Sequence, residues 1–133
     1  MSSSIIYAGN SSTQSTIVAG TTVQFSDIVR RYGCNCKLSG SNVMCEGSGY
    51  YEGTVNLTLE GTAAGTALVQ VYANGVAIPY AYASTVTTDG SITSILIPFV
   101  IRNNCNCIAN TITVIVSGVV TNIINAGIVV EKE

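Results

Sequence analysis

Five cysteines are the residues of this chain best suited to chemistry. Four fall in two identical triplets, Cys34-Asn35-Cys36 and Cys105-Asn106-Cys107, and Cys45 stands apart. Along an extended strand the two sulfurs of Cys-x-Cys point to one face. If the triplets meet in space, Cys34, Cys36, Cys105 and Cys107 offer four thiolates to a tetrahedral zinc ion. The spacing is that of no known zinc finger or ribbon, and two other states are open to the same residues. They can be plain buried thiols, common in β cores, or disulfides linking the triplets once the protein has left the cell. Five is an odd number, so at least one thiol stays free or pairs between subunits.

The remaining chemistry is sparse. The chain has no His and no Trp, so the usual general base and the commonest metal ligand are missing. Its acids are Asp27, Glu46, Glu52, Glu60, Asp89, Glu131 and Glu133. Glu52 and Glu60 share a strand face but stand roughly 26 Å apart at about 3.3 Å per residue, too far for the paired carboxylates of a glycosidase. No nucleophile elbow, phosphate loop or acidic calcium loop occurs. The expectation is a protein without catalytic residues and without a cofactor.

The elements that carry these residues read as strands. Val55, Leu57 and Leu59 alternate with Asn56, Thr58 and Glu60, and Val69, Val71 and Ala73 repeat the pattern before Asn74-Gly75. Period-two alternation closed by Asn-Gly is the signature of a half-buried hairpin. Strands are expected at about 50–60, 67–73, 76–84, 91–102, 110–117 and 126–131, with Thr22 to Val29 a further strand containing Phe25. Short strands lie between Arg31 and Ser48, around a turn near Ser39-Gly40-Ser41-Asn42. No segment longer than about ten residues keeps a helical period, so the fold class is all-β, a sandwich or barrel. Residues 1–20, rich in Ser, Thr and Gly, read as an N-terminal arm, and 21–133 as the β-sandwich domain.

Only 9% of residues are charged, the net charge is −2, and 47% are apolar. An average domain has about 25% charged residues. Thr-rich strand faces can serve as neutral solvated surface; alternatively, part of the monomer's surface is buried against copies of itself. Five basic residues, with Arg30-Arg31 the one doublet, do not make the basic patch a nucleic acid requires. No apolar run approaches the roughly 20 residues of a membrane span, and the first residues lack the features of a secretory signal. Synthesis in a cytoplasm, without nucleic-acid or membrane partners, is the expectation.

Ile95-Leu96-Ile97-Pro98-Phe99-Val100-Ile101 breaks the alternation: it is apolar on both faces and should be covered on both. Pro98 cannot donate to a ladder, which points to a bulge or an edge. Ile95, Ile97, Phe99 and Ile101, with Tyr72, Tyr80 and Tyr82, are the candidate subunit interface. A wholly buried central strand is the other reading of that segment. Tyr50 and Tyr51 flank a strand start, one facing the core and one a partner.

The run Tyr50-Tyr51, an alternating strand, Ala64-Gly65-Thr66, Val69-x-Val71, Asn74-Gly75 and a closing strand before Asp89-Gly90 resembles the jelly-roll head of the tumour-necrosis-factor-like superfamily. The resemblance covers roughly residues 43 to 131 and is strongest to the small versions in Firmicutes phages, prophages and spore-surface collagen-like proteins. It implies an antiparallel jelly-roll β-sandwich that assembles as a homotrimer and serves in display, decoration or binding. No collagen-like Gly-x-y tract precedes the head, which favours a virion protein over a spore-surface filament. The expected role is a trimeric capsid decoration protein on a bacteriophage or prophage virion surface. Its partner would be the major capsid or another virion protein, with Ile5, Ile6 and Tyr7 of the arm docking on the shell. A receptor- or glycan-binding fibre head, meeting a host-surface glycan, and a spore-surface component are the alternatives.

Overall fold

The computed structural model describes residues 4–17, 20–103 and 109–132. Among the described residues twelve strands run in the order β1 (Ser4–Asn10), β2 (Gln14–Ser15), β3 (Thr21–Thr22), β4 (Asp27–Tyr32), β5 (Cys36–Ser39), β6 (Asn42–Cys45), β7 (Gly49–Gly61), β8 (Gly65–Ala73), β9 (Val76–Thr87), β10 (Ile92–Asn103), β11 (Asn110–Gly118) and β12 (Thr121–Lys132). No helix occurs among the described residues. One sheet is ordered β10-β7-β12-β1-β4 with β2 beside β12; the other is β5-β6-β11-β8-β9 with β3 beside β11. All pairings are antiparallel.

The alternation seen in the sequence is the alternation of burial. On β7, Val55, Leu57 and Leu59 are buried while Asn56, Thr58 and Glu60 are partly exposed. Facing them across the sandwich are Val69, Val71, Val114 and Val116. Each fully buried aliphatic side chain of this kind contributes about 1.5–3 kcal/mol. Tyr51 is in the core and Tyr50 is exposed, as expected of a pair flanking a strand start. The β8–β9 turn has positive φ at both Asn74 (51°) and Gly75 (79°), the conformation that Asn-Gly adopts readily and that matches strand twist.

Three expectations are corrected. The N-terminal segment is no free arm: β1 lies between β12 and β4, and Ile6 and Ala8 are wholly buried. Its apolar residues alternate, so Ile6 enters the core while Ile5 and Tyr7 face outward. The domain thus begins at or before Ser4. Thr22 to Val29 is not one strand, because the chain passes from one sheet at β3 to the other at β4. Phe25, wholly buried in that crossing, is held by its N–H to the Ser41 carbonyl at 2.8 Å.

The third correction concerns β10. It is an edge strand, which suits Pro98. Ile95, Ile97 and Phe99 point into the subunit's own core at 8%, 2% and 5% exposure, and Ile101 packs partly against it. Phe99 lies opposite Gly53, and a Cβ there would stand 2.7 Å from the ring. These side chains serve the fold, not a subunit boundary. Leu96 and Val100, one residue out of step, are the ones left uncovered, because successive side chains of a strand point to opposite faces.

Candidate assembly surface and cysteine hairpin

β9 and β10 close one flank of the sandwich, each as the last strand of its sheet. Tyr80, Tyr82 and Val86 on β9 and Ile92, Leu96 and Val100 on β10 are all at least half exposed. Around the corner, strand register aligns outward positions into rows across the first sheet. One row reads Pro98, Thr54, Val129, Tyr7 and Arg30; the next reads Val100, Glu52, Glu131, Ile5 and Tyr32. Flank and face meet at an open depression of about 670 Å³ whose lining includes Tyr80, Pro98, Val100, Thr54 and Val129 together with Glu52 and Glu131. Several large apolar side chains are thus contiguous and uncovered, the kind of patch that marks an interaction site.

Tyr80 is the projecting point of this surface. Its side chain is fully exposed and its φ is +64°, a left-handed conformation that costs a non-glycine residue about 1–2 kcal/mol. The cause is a break in register: Gln70 pairs with Tyr82 and Tyr72 with Ala77, so Val71 alone faces residues 78–81. The Gln70 side-chain amide pins the loop, the two hydrogens of its Nε2 shared among the carbonyls of Val71 (2.9 Å), Ile78 (3.1 Å) and Ala81 (3.0 Å). Strain held by a dedicated partner at an exposed aromatic is a pattern of functional sites. Of the tyrosines singled out in the sequence, Tyr80 and Tyr82 lie on this flank. Tyr72 lies on the outer side of β8, half-buried.

The second cluster is built on the β5–β6 hairpin. Cys36 and Cys45 stand directly opposite each other, both wholly buried. Cys34 sits in a bend after Gly33 (φ 78°) and is exposed, so the two sulfurs of this triplet do not share a strand face. Cys105 and Cys107 lie outside the described residues. Among the described residues no group of three or more His, Cys, Asp or Glu side chains could hold a metal ion.

Polar contacts clamp the hairpin to its neighbours. Ser4 Oγ donates to Asn35 Oδ1 at 2.9 Å, Asn35 Nδ2 to the Glu46 carbonyl at 2.8 Å, and Arg31 Nε to the Cys36 carbonyl at 2.8 Å. The buried Asn103 donates to the Cys45 carbonyl at 3.0 Å. The single Tyr51 Oη proton is shared between the carbonyls of Glu46 (2.5 Å) and Gly47 (3.1 Å). Burial pushes the Tyr51 phenol up to about 12. The Cys45 thiol donates to Cys36, which holds the Cys36 thiol below its ordinary value despite burial, with help from Arg31 and Lys132. The same bond, together with burial, raises Cys45.

Sequence reasoning missed this pairing, although the signal was there. A two-residue turn at Gly40-Ser41 fixes the register, and stepping back equally from both sides brings Cys36 opposite Cys45. Nothing in residue types foretold the left-handed Tyr80 or the role of Gln70.

No protein-family model matches the chain, and no curated protein matches it. Solved structures do. Murine APRIL, crystallised at pH 5.0, is 15% identical with a TM-score of 0.72, covering 98% of both chains. The globular domain of zebrafish complement 1qA is 8% identical with a TM-score of 0.70, covering 96% of this chain and 95% of its own. The PRD1 vertex protein P5 is 14% identical with a TM-score of 0.55, covering 99% and 98%. At these identities the likeness is one of fold: with the strand order above, this chain has the antiparallel jelly-roll sandwich of tumour-necrosis-factor-like type that the sequence led us to expect.

Proposed function

We propose that this chain is a non-enzymatic structural protein of a bacteriophage or prophage particle, a homotrimeric jelly-roll subunit that decorates the capsid surface. The observation that carries the self-assembly is the uncovered apolar flank and face joined at Tyr80. Such a surface is unfavourable in water and is relieved by packing the flank of one copy against the face of the next. Support for the particle comes from the fold-level likeness to a protein named for its place at a PRD1 vertex. Because β1 is built into the sheet, attachment through residues 4–10 as a free arm drops out of the reading.

Light scattering of the purified protein tests the assembly: a mass near three times 13.8 kDa is expected, and a stable monomer at micromolar concentration refutes it. Immunogold labelling of particles and spores from the source strain tests the location. Label over capsids supports decoration. Label at tail tips makes the chain a fibre head, and label confined to spores moves it to the spore surface.

A further inference from the structure

We propose that Cys36 and Cys45 are a latent cross-strand disulfide that closes when the protein meets an oxidising environment and locks the β5–β6 hairpin. The position of the pair in the ladder carries the inference. Opposed residues of an antiparallel pair alternate between hydrogen-bonded sites and closer, non-hydrogen-bonded ones. The Glu46 N–H donates to the Asn35 carbonyl at 2.8 Å, so Asn35 and Glu46 occupy a hydrogen-bonded site. The next pair inward, Cys36 and Cys45, is therefore non-hydrogen-bonded, with Cα atoms about 4.5 Å apart. That separation falls within the range a disulfide spans. Both side chains are buried on the same face of the hairpin, so the closed pair fits the strand register already present.

A low-molecular-weight disulfide such as oxidised glutathione is the co-reactant. The Cys36 thiolate, the better nucleophile of the two, attacks one of its sulfurs, forming a mixed disulfide and releasing one glutathione thiolate. Cys45 gives its proton to solvent, and its sulfur attacks Cys36 and expels the second thiolate. Two cysteine thiols are oxidised by two electrons, and one glutathione disulfide becomes two thiols. Both cysteines are wholly buried, so the reagent enters through opening of the hairpin, whose outer strand β5 is a sheet edge. In a reducing cytoplasm the pair stays open; outside the cell it closes.

The test uses the full-length protein. Purified under reducing conditions, it is incubated with oxidised glutathione, alkylated, cleaved after Lys, Arg and Glu, and mapped without reduction. The expected product is residues 32–37 joined to 38–46, two hydrogen masses lighter than the separate thiol peptides. The Cys34→Ser variant should keep this link and the Cys36→Ser variant should lose it. Five alkylated thiols would overturn the proposal. A link from 32–37 to the peptide carrying Cys105 and Cys107 would also overturn it. Neither result depends on a variant folding.

Discussion

Replacing Tyr80 by Gly separates the fold from the assembly because the two effects have opposite signs. In the isolated subunit the ring is fully exposed, so its removal forfeits no burial. Relief of the left-handed backbone returns about 1–2 kcal/mol, against which glycine's extra freedom in the unfolded chain costs about 0.5–1 kcal/mol. The subunit should be unchanged or gain up to about 1.5 kcal/mol. In the proposed assembly the ring would be an anchor. A tyrosine buries about 150–250 Å², which at about 25 cal/mol/Å² sets a ceiling of roughly 4–6 kcal/mol. Desolvation of the hydroxyl and side-chain ordering reduce that, and central tyrosines typically contribute about 2 kcal/mol or more. Each interface should therefore weaken by roughly thirtyfold or more. Subunit stability is read by urea unfolding in a dissociated Leu96→Asp background, and assembly by light scattering over a dilution series of the single variant. An unchanged dissociation midpoint refutes Tyr80 as an interface residue. Destabilisation of the subunit beyond about 1 kcal/mol refutes the strain argument.

Other consequences are equally direct. Leu96→Asp should give a folded monomer, whereas Ile97→Asp, which places a charge in the core, should fail to fold; circular dichroism with light scattering distinguishes the two outcomes. The Tyr51 phenol is raised on folding, so its stabilising contribution is complete below pH 10 and declines as pH rises toward about 12. The loss is on the order of 2 kcal/mol, and in urea titrations Tyr51→Phe should flatten that decline. The same variant removes the phenol's donor from the Gly47 carbonyl and leaves the Glu46 carbonyl with Asn35 alone, and should cost about 1–3 kcal/mol at neutral pH. Closing the disulfide across the loop of about ten residues should add close to 3 kcal/mol, seen as a higher unfolding midpoint that dithiothreitol reverses.

The sandwich was legible because period-two burial governs nearly every long strand. The segments 50–60, 67–73 and 110–117 fall within observed strands because one face of each meets the core and the other meets water. The segment around Ile97 misled for a related reason. Composition shows that both faces are apolar but not which face the subunit covers itself. That depends on β10 pairing with β7, which sets Ile97 opposite the buried Val55. The N-terminal residues were misjudged because Ser and Gly separate Ile6 from any longer pattern, and only pairing with β12 at the far end of the chain makes the strand. Tyr80 owes its conformation to Gln70 on another strand, a relation no local window contains.

The outer strands also restrict how the protein can associate. A strand edge with free N–H and C=O groups invites another strand, and repeated pairing of that kind propagates without limit. Here β9 carries Pro79 and a bulge, β10 carries Pro98, β4 carries Arg30 and Arg31, and β5 carries Lys37. Proline interrupts an incoming ladder, and like charges repel a copy of the same edge. Backbone-to-backbone growth is thus disfavoured at all four outer strands, which leaves contact between side-chain surfaces as the better route to association. Contacts of that kind repeat through one rotation, which closes into a ring or winds into a filament according to its angle; under the proposed trimer a threefold rotation closes the set after three copies.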